Sequence, residues 1–261
     1  MFNDTIASRF DGIFTDAPKH TPTKGEPDGP LTGNGDVGLT FGLNDGRLNG
    51  YIGKNDLWCA KPAQYQGGVK MLAAFTLDAD GLEHAAFSAR ECIGSADIEI
   101  GLKTEEYALR IDSYVPYTEN LVIIKLACEA GNANVRAGLF VPDFEPARIE
   151  RASTETTARI TKIFDGPDFD FPTHADACLS RTDGGKLFFN IGQGEEVTFA
   201  ISVCTNHDGN QLKQGGEIQL EALRRSHLAF WKKFWNQSEI SIPSEPNIER
   251  YWYGSQYIMA C

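Results

Sequence analysis

L-T-G-N-G-D-V-G-L-T-F-G-L-N-D-G-R-L-N-G-Y-I-G-K-N-D-L-W, residues Leu31 to Trp58, spells out a β-hairpin. Val37, Leu39, Phe41 and Leu43 alternate with Gly38, Thr40 and Gly42, the period-two pattern of a strand with one apolar face. Asn44-Asp45-Gly46 supplies residues that tolerate positive φ and so turns the chain. Leu48 to Ile52 returns as the partner strand. The segment closes on a compact polar and aromatic cluster, Lys54, Asn55, Asp56 and Trp58.

Outward from this hairpin, the pattern repeats. Met71–Leu77, Ile98–Leu102, Tyr107–Ile111, Leu121–Cys128 and Val135–Leu139 read as strands. So do Thr157–Phe164, Ala177–Arg181, Leu187–Ile191 and Val197–Val203. Glu129-Ala130-Gly131-Asn132 reads as a turn between two of them. Many strands without intervening helices predict a mainly β fold, an antiparallel β-super-sandwich, and exclude a βαβ fold. Residues 1–30, with Pro18, Pro22, Pro27 and Pro30, read as an extended lead-in carrying one short strand. The pattern changes at Gly215-Gly216. Leu220, Leu223, His227, Phe230 and Phe234 then recur at helical spacing, widened by Trp231 and Trp235, and predict a helix over Glu217–Asn236. Pro246-Asn247 opens a second helix with Ile248, Tyr251, Trp252, Ser255 and Ile258 or Met259 on one side. The expected division is a sandwich domain over 1–215, a linker helix over 216–238, and the start of a helical domain over 239–261. The last helix stops at Cys261 without a cap, which suggests a protein cut short.

The 261 residues are 41% hydrophobic, enough for a sizeable core, and carry a net charge of -12. That charge repels phosphate backbones and anionic membrane surfaces, so neither nucleic acid nor membrane is expected as a partner. No apolar run is long enough to span a bilayer. The N-terminus lacks a basic stretch followed by an apolar core, which predicts a cytoplasmic chain as given, and a secreted or periplasmic one if its start is incomplete. Six cysteines lie far apart with no C-x-x-C pair. Neither a cofactor nor a metal site is expected.

Gly33-Asn34-Gly35-Asp36-Val37-Gly38 matches G-x-G-x-x-G, but a dinucleotide fingerprint follows a strand and opens a helix. Here the motif precedes a strand, so its glycines are assigned to a tight Asn-Gly turn and close packing. Lys54-Asn55-Asp56-Leu57-Trp58 has the side chains of a sugar site, amide, carboxylate and ring, and equally those of a solvated strand end over a core tryptophan. Asp36 and Asp56 are the carboxylates to nominate for acid/base work, though their spacing does not show that they converge. His84, His174 and His207 are isolated, and His227 falls on a helix's apolar stripe as a packed histidine. There is no H-E-x-x-H and no G-x-S-x-G.

P-L-T-G-N-G-D-V-G (Pro30–Gly38) followed by Y-I-G-K-N-D-L-W (Tyr51–Trp58) resembles the N-terminal domain of glycoside hydrolases with an (α/α)6 barrel, those grouped around families 65 and 95. S-H-L-A-F-W-K-K-F-W (Ser226–Trp235), I-S-I-P (Ile240–Pro243) and I-E-R-Y-W-Y-G-S-Q-Y (Ile248–Tyr257) are similar to their linker helix and first barrel helix. The resemblance implies a sandwich lacking the catalytic barrel, a carbohydrate substrate for the whole enzyme, no cofactor, and no catalytic residue within this chain. It implies that Asn34, Asp36, Lys54, Asn55, Asp56 and Trp58 lie on the edge facing the missing C-terminal barrel, shaping a sugar site or bracing the interface. K-N-D-L-W departs from the L-N-E-D-x-L-W form of the fucosidase branch, which leaves the sugar open. Two other functions fit the residues: a carbohydrate-binding module using Trp58, or an interaction domain whose aromatic helix docks a partner. Oligomeric state is left open.

Overall fold

The computed structural model describes residues 6–23, 27–59, 68–142, 147–166 and 171–261, with residues 58, 59, 68 and 69 described by backbone alone. Among the described residues fourteen strands run in chain order: β1 (Gly12–Phe14), β2 (Leu31–Gly33), β3 (Val37–Asn44), β4 (Arg47–Cys59), β5 (Gly68–Ala79), β6 (Ala86–Cys92), β7 (Asp97–Lys103), β8 (Tyr107–Tyr114), β9 (Leu121–Phe140), β10 (Arg148–Ser153), β11 (Thr157–Phe164), β12 (Thr173–Arg181), β13 (Phe188–Gly192) and β14 (Glu196–Thr205). Two helices follow, α1 (Leu220–Trp235) and α2 (Pro246–Ala260). Every strand pairing among the described residues is antiparallel. One sheet runs β1-β6-β7-β8-β9-β14-β12-β11-β10, and the other runs β2-β3-β4-β5-β9-β13.

The two sheets share β9. Its first part lies between β8 and β14, and its second between β5 and β13. The turn expected at Glu129–Asn132 is therefore not a turn. The chain stays extended and crosses from one sheet into the other. A register shift opposite Ala108/Leu109 absorbs one residue, and Gly131, at φ 70°, makes the bend. A Cβ there would sit 2.0 Å from the carbonyl oxygen of Glu106, so the crossing requires glycine.

The inward faces of both sheets form one core, with Leu39, Ile52 and Phe75 from one side and Ile111, Ile124 and Phe199 from the other. The rings of Phe75 and Phe199 meet across it at 5.8 Å. Burial of each such side chain contributes roughly 1.5–3 kcal/mol. Polar, exposed β10 has no clean alternation, which is why the sequence reading passes over it.

The helices differ from expectation in which faces they bury. On α1 the buried row is Leu223, His227, Trp231 and Trp235, while Phe230 and Phe234 flank it half-buried. The tryptophans of the aromatic helix are thus covered, by α2, the Ile6–Phe10 turn and the Ile93–Ala96 edge of the sandwich. Trp235 donates its indole N–H to Ile93 O at 2.9 Å. On α2 most of the expected stripe is exposed: Ile248, Tyr251, Ser255, Ile258 and Met259 face out, Trp252 is half-buried beside Tyr253, and Tyr253 and Tyr257 are buried. The reason is polar. Tyr253 reaches Ile240 O at 3.0 Å and stacks on Phe10, whereas Tyr257 donates to Leu31 O at 2.6 Å. A hydropathy stripe ranks isoleucine above tyrosine, but these tyrosines bury large rings with their hydroxyls satisfied. Phe10 belongs to a short 3-10 turn, Ile6–Phe10, inside the expected lead-in, whose residues 1–5 and 24–26 lie outside the described ones.

Candidate functional site

The turn between β2 and β3 is built by Asn34. Its side-chain oxygen accepts the backbone N–H groups of Asp36 (3.0 Å) and Val37 (2.7 Å), an Asx-type turn, with Gly35 at φ 85°. Its amide nitrogen donates to Pro116 O and Glu119 O in the β8–β9 loop. Gly35 donates its N–H to Cys261 O at 2.8 Å, and a Cβ on Gly33 would lie 2.3 Å from that same oxygen. The glycines therefore admit the C-terminal end of α2. No helix follows the motif, which removes the nucleotide reading.

β4 runs on to Cys59, beyond the Ile52 limit expected from alternation. Its ladder with β5 shifts between Ile52 and Gly53 and again before Trp58, so Lys54 to Leu57 leave that ladder. Lys54 still pairs with Val37 on β3. This bulged stretch aims Lys54 inward, where its side chain is 1% exposed. Its ammonium donates to Asp36 Oδ1 at 2.6 Å and Asp56 Oδ1 at 2.7 Å, with Asp208 Oδ2 at 3.5 Å. The remaining carboxylate oxygens are also engaged. Asn120 donates to Asp36 Oδ2 at 2.7 Å, and Thr205 donates to Asp56 Oδ2 at 2.6 Å. Asp208 accepts the N–H groups of Thr205 and Asn210. Asn55, exposed, donates through its amide to Gly35 O and through its backbone to Asp36 O.

Burial works against the charge on Lys54, but hydrogen bonds and attraction to Asp36 and Asp56 outweigh it and raise its pKa above the ordinary lysine value. Burial likewise opposes ionisation of Asp208, and the donors Asn210 and Thr205 together with Lys54 overcome it and lower its pKa. The cluster is a charged knot joining the hairpin to the β8–β9 loop and the end of β14. Asp36 and Asp56 do converge, but on an ammonium that holds both. A glycosidic acid/base pair instead flanks an open bond. The arrangement suits bracing, not proton transfer.

Asn34, Asp36, Lys54, Asn55 and Asp56 are thus brought together, while the Trp58 side chain lies outside the described residues. Sequence reading misses Asn120, Thr205 and Asp208, which come from distant segments and carry no local signal. His227 is fully buried, bonded through Nε2 to Ser95 O at 2.7 Å, and burial pushes its pKa down to about 4. Glu91 accepts the Leu31 N–H at 2.6 Å, and burial with the nearby Asp11 charge raises its pKa to about 7. Among the described residues no group of three or more His, Cys, Asp or Glu is placed to hold a metal ion. Beside the knot a cleft of about 180 Å³ opens between Asp36, Thr118–Leu121, Ser202, Val203, Asn210, Gln211 and Lys213.

No family model matches the chain, and neither does any curated protein. Among solved structures it is similar to a putative kojibiose phosphorylase from the human microbiome, at 11% identity and TM-score 0.53, over 90% of this chain and 40% of that one. Two structures of a family GH92 alpha-mannosidase from Bacteroides thetaiotaomicron, one with mannoimidazole, match at 12% identity over 88% of this chain. They cover 38% and 37% of those chains, at TM-scores of 0.36 and 0.31. The chain therefore spans about 40% of the length of these structures. At such identity the likeness is one of fold, and the sequence resemblance to the family 65 group extends to the architecture: a two-sheet sandwich followed by helices.

Proposed function

We propose that this chain is the sandwich domain of a carbohydrate-active enzyme that cleaves glycosidic bonds, and that it supports a helical catalytic domain without itself supplying the catalytic residues. The observation that carries the reading is the fold shared with the phosphorylase across 90% of the chain. Two features support the supporting role. The carboxylates best suited to acid/base work are bound to a buried ammonium. The outer stripe of α2 leaves Ile248, Tyr251, Ile258 and Met259 bare, a surface suited to packing further helices. Gly35 and Gly33 hold the end of α2 against the hairpin, so the Lys54 knot stiffens the face on which that stripe stands.

The test is turnover. The chain alone is expected to leave aryl-glycosides and disaccharides intact, with or without inorganic phosphate, and robust hydrolysis or phosphorolysis overturns the non-catalytic role. Aspartate replacements at Ile258 and Met259 are expected to leave folding unchanged and to abolish association with a helical domain supplied in trans.

A further inference from the structure

The cleft beside the Lys54 knot is made by segments far apart in sequence: the turn bearing Asp36, the β8–β9 loop bearing Thr118, Glu119 and Asn120, and the loop after β14 bearing Gln211 and Lys213. Its walls are rigidly tied. Asn34 fixes the β8–β9 loop through two backbone carbonyls, Asn120 bonds Asp36, and Lys213 bonds Glu119 and, through its backbone, Ser202. At about 180 Å³ it has room for a ligand the size of one six-membered sugar ring. Its lining is mostly polar, with hydroxyl, amide, carboxylate and ammonium groups beside Leu121 and Val203, where pockets for apolar ligands are mostly hydrocarbon. Lys213 and Lys54, the ammoniums at and behind the cleft, are already paired with carboxylates, and Asp36, Glu119 and Asp208 outnumber them. An anionic ligand meets net negative charge there. A neutral polyol carries no charge for that field to repel.

We propose that this cleft is a binding subsite for one neutral hexose unit, selective against phosphorylated or otherwise anionic sugars. The proposal rests on the carbohydrate reading above and adds where the sugar sits and what charge it bears. A single ring held by polar contacts binds weakly, with Kd on the order of 1–10 mM.

The experiment is an amide-shift NMR titration of the full chain with glucose, galactose and mannose, each paired with its 6-phosphate. At least one neutral sugar is expected to shift amides of residues 36, 118–121, 202–203 and 210–213 saturably, and its 6-phosphate to bind at least threefold more weakly. Gln211→Ala, on an exposed loop, is expected to weaken binding at least threefold while leaving the remaining spectrum unchanged. Saturable shifts on another surface overturn the subsite and leave the carbohydrate reading standing. Equal or tighter binding of the phosphate overturns the charge selectivity. No saturable shift with any of the sugars also overturns the subsite, while the supporting-domain reading is decided separately by turnover and association.

Discussion

Replacing Lys54 with methionine tests the charged knot directly. The side chain is 1% exposed, so methionine fills most of its volume and removes only the ammonium. What remains is three carboxylates facing one another without a counter-charge. Removing one partner of a buried ion pair costs about 3–5 kcal/mol. Asp36 and Asp56 are 33% and 26% exposed, so water relieves part of the repulsion, and the lower end, about 3 kcal/mol, is expected. That is a large share of a typical 5–15 kcal/mol stability, and for a chain of this size it lowers Tm by roughly 6–12 °C. Urea unfolding at pH 7 with both single variants and the Lys54→Met/Asp36→Asn double variant gives the coupling. The double variant is expected to recover at least 1 kcal/mol of the sum of the singles. The pH window follows from the shifts. The raised lysine pKa stabilises fully below the unfolded value of 10.5 and is lost as pH rises through the higher folded value. The lowered Asp208 pKa stabilises above 3.8 and is lost as pH falls through the folded value. The cost of Lys54→Met should therefore be greatest between about pH 5 and 10. A loss under 1 kcal/mol at pH 7, or strict additivity with Asp36→Asn, refutes the bracing role.

His227 and Glu91 pull stability in opposite directions with pH. His227, folded pKa about 4 against 6.5, leaves the unfolded state holding more protons between those values, so its contribution rises with pH there, by on the order of 3 kcal/mol in all. Glu91, raised from 4.5 to about 7, contributes most below 4.5 and loses that contribution as pH rises through 7. Urea midpoints of the parent should change little from pH 4.5 to 6.5, whereas Glu91→Gln should steepen the acid loss and His227→Gln should reverse the slope; parallel profiles for all three would contradict both assignments. Within the glycine motif, Gly33→Ala meets the Cys261 and Val37 carbonyl oxygens at 2.3 and 2.9 Å and should cost about 1–3 kcal/mol, with faster hydrogen exchange in α2. Gly38→Ala meets nothing within 4 Å and should stay within about 0.5 kcal/mol in thermal unfolding. Trp231→Ala, at a fully buried ring, should cost about 3–5 kcal/mol by denaturant titration; a loss below 1 kcal/mol would mean that α1 is not anchored there.

Local pattern was sufficient for the elements. Alternation from Val37 to Leu43, turn residues at Asn44-Asp45-Gly46 and helical spacing after Gly216 depend on neighbours in sequence, so the hairpin, most strands and both helices are legible there, and with them the sandwich. The role of the G-N-G turn was legible in kind, since a motif that precedes a strand has no helix N-terminus to offer a phosphate. What the sequence left open depends on contacts between distant segments. Glu129–Asn132 has turn composition, yet β9 continues through it because two sheets compete for one strand and pairing on both sides outweighs the local preference. The buried face of α2 is chosen by carbonyls at Ile240 and Leu31 that satisfy its tyrosines, a fact no helical stripe contains. Lys54 reads as a solvated strand end because lysine usually is one. Only the fold turns Asp36 and Asp56 onto its ammonium, and brings Asn120 and Thr205 to bond those carboxylates and Asp208 to add a third counter-charge, all three from more than sixty positions away.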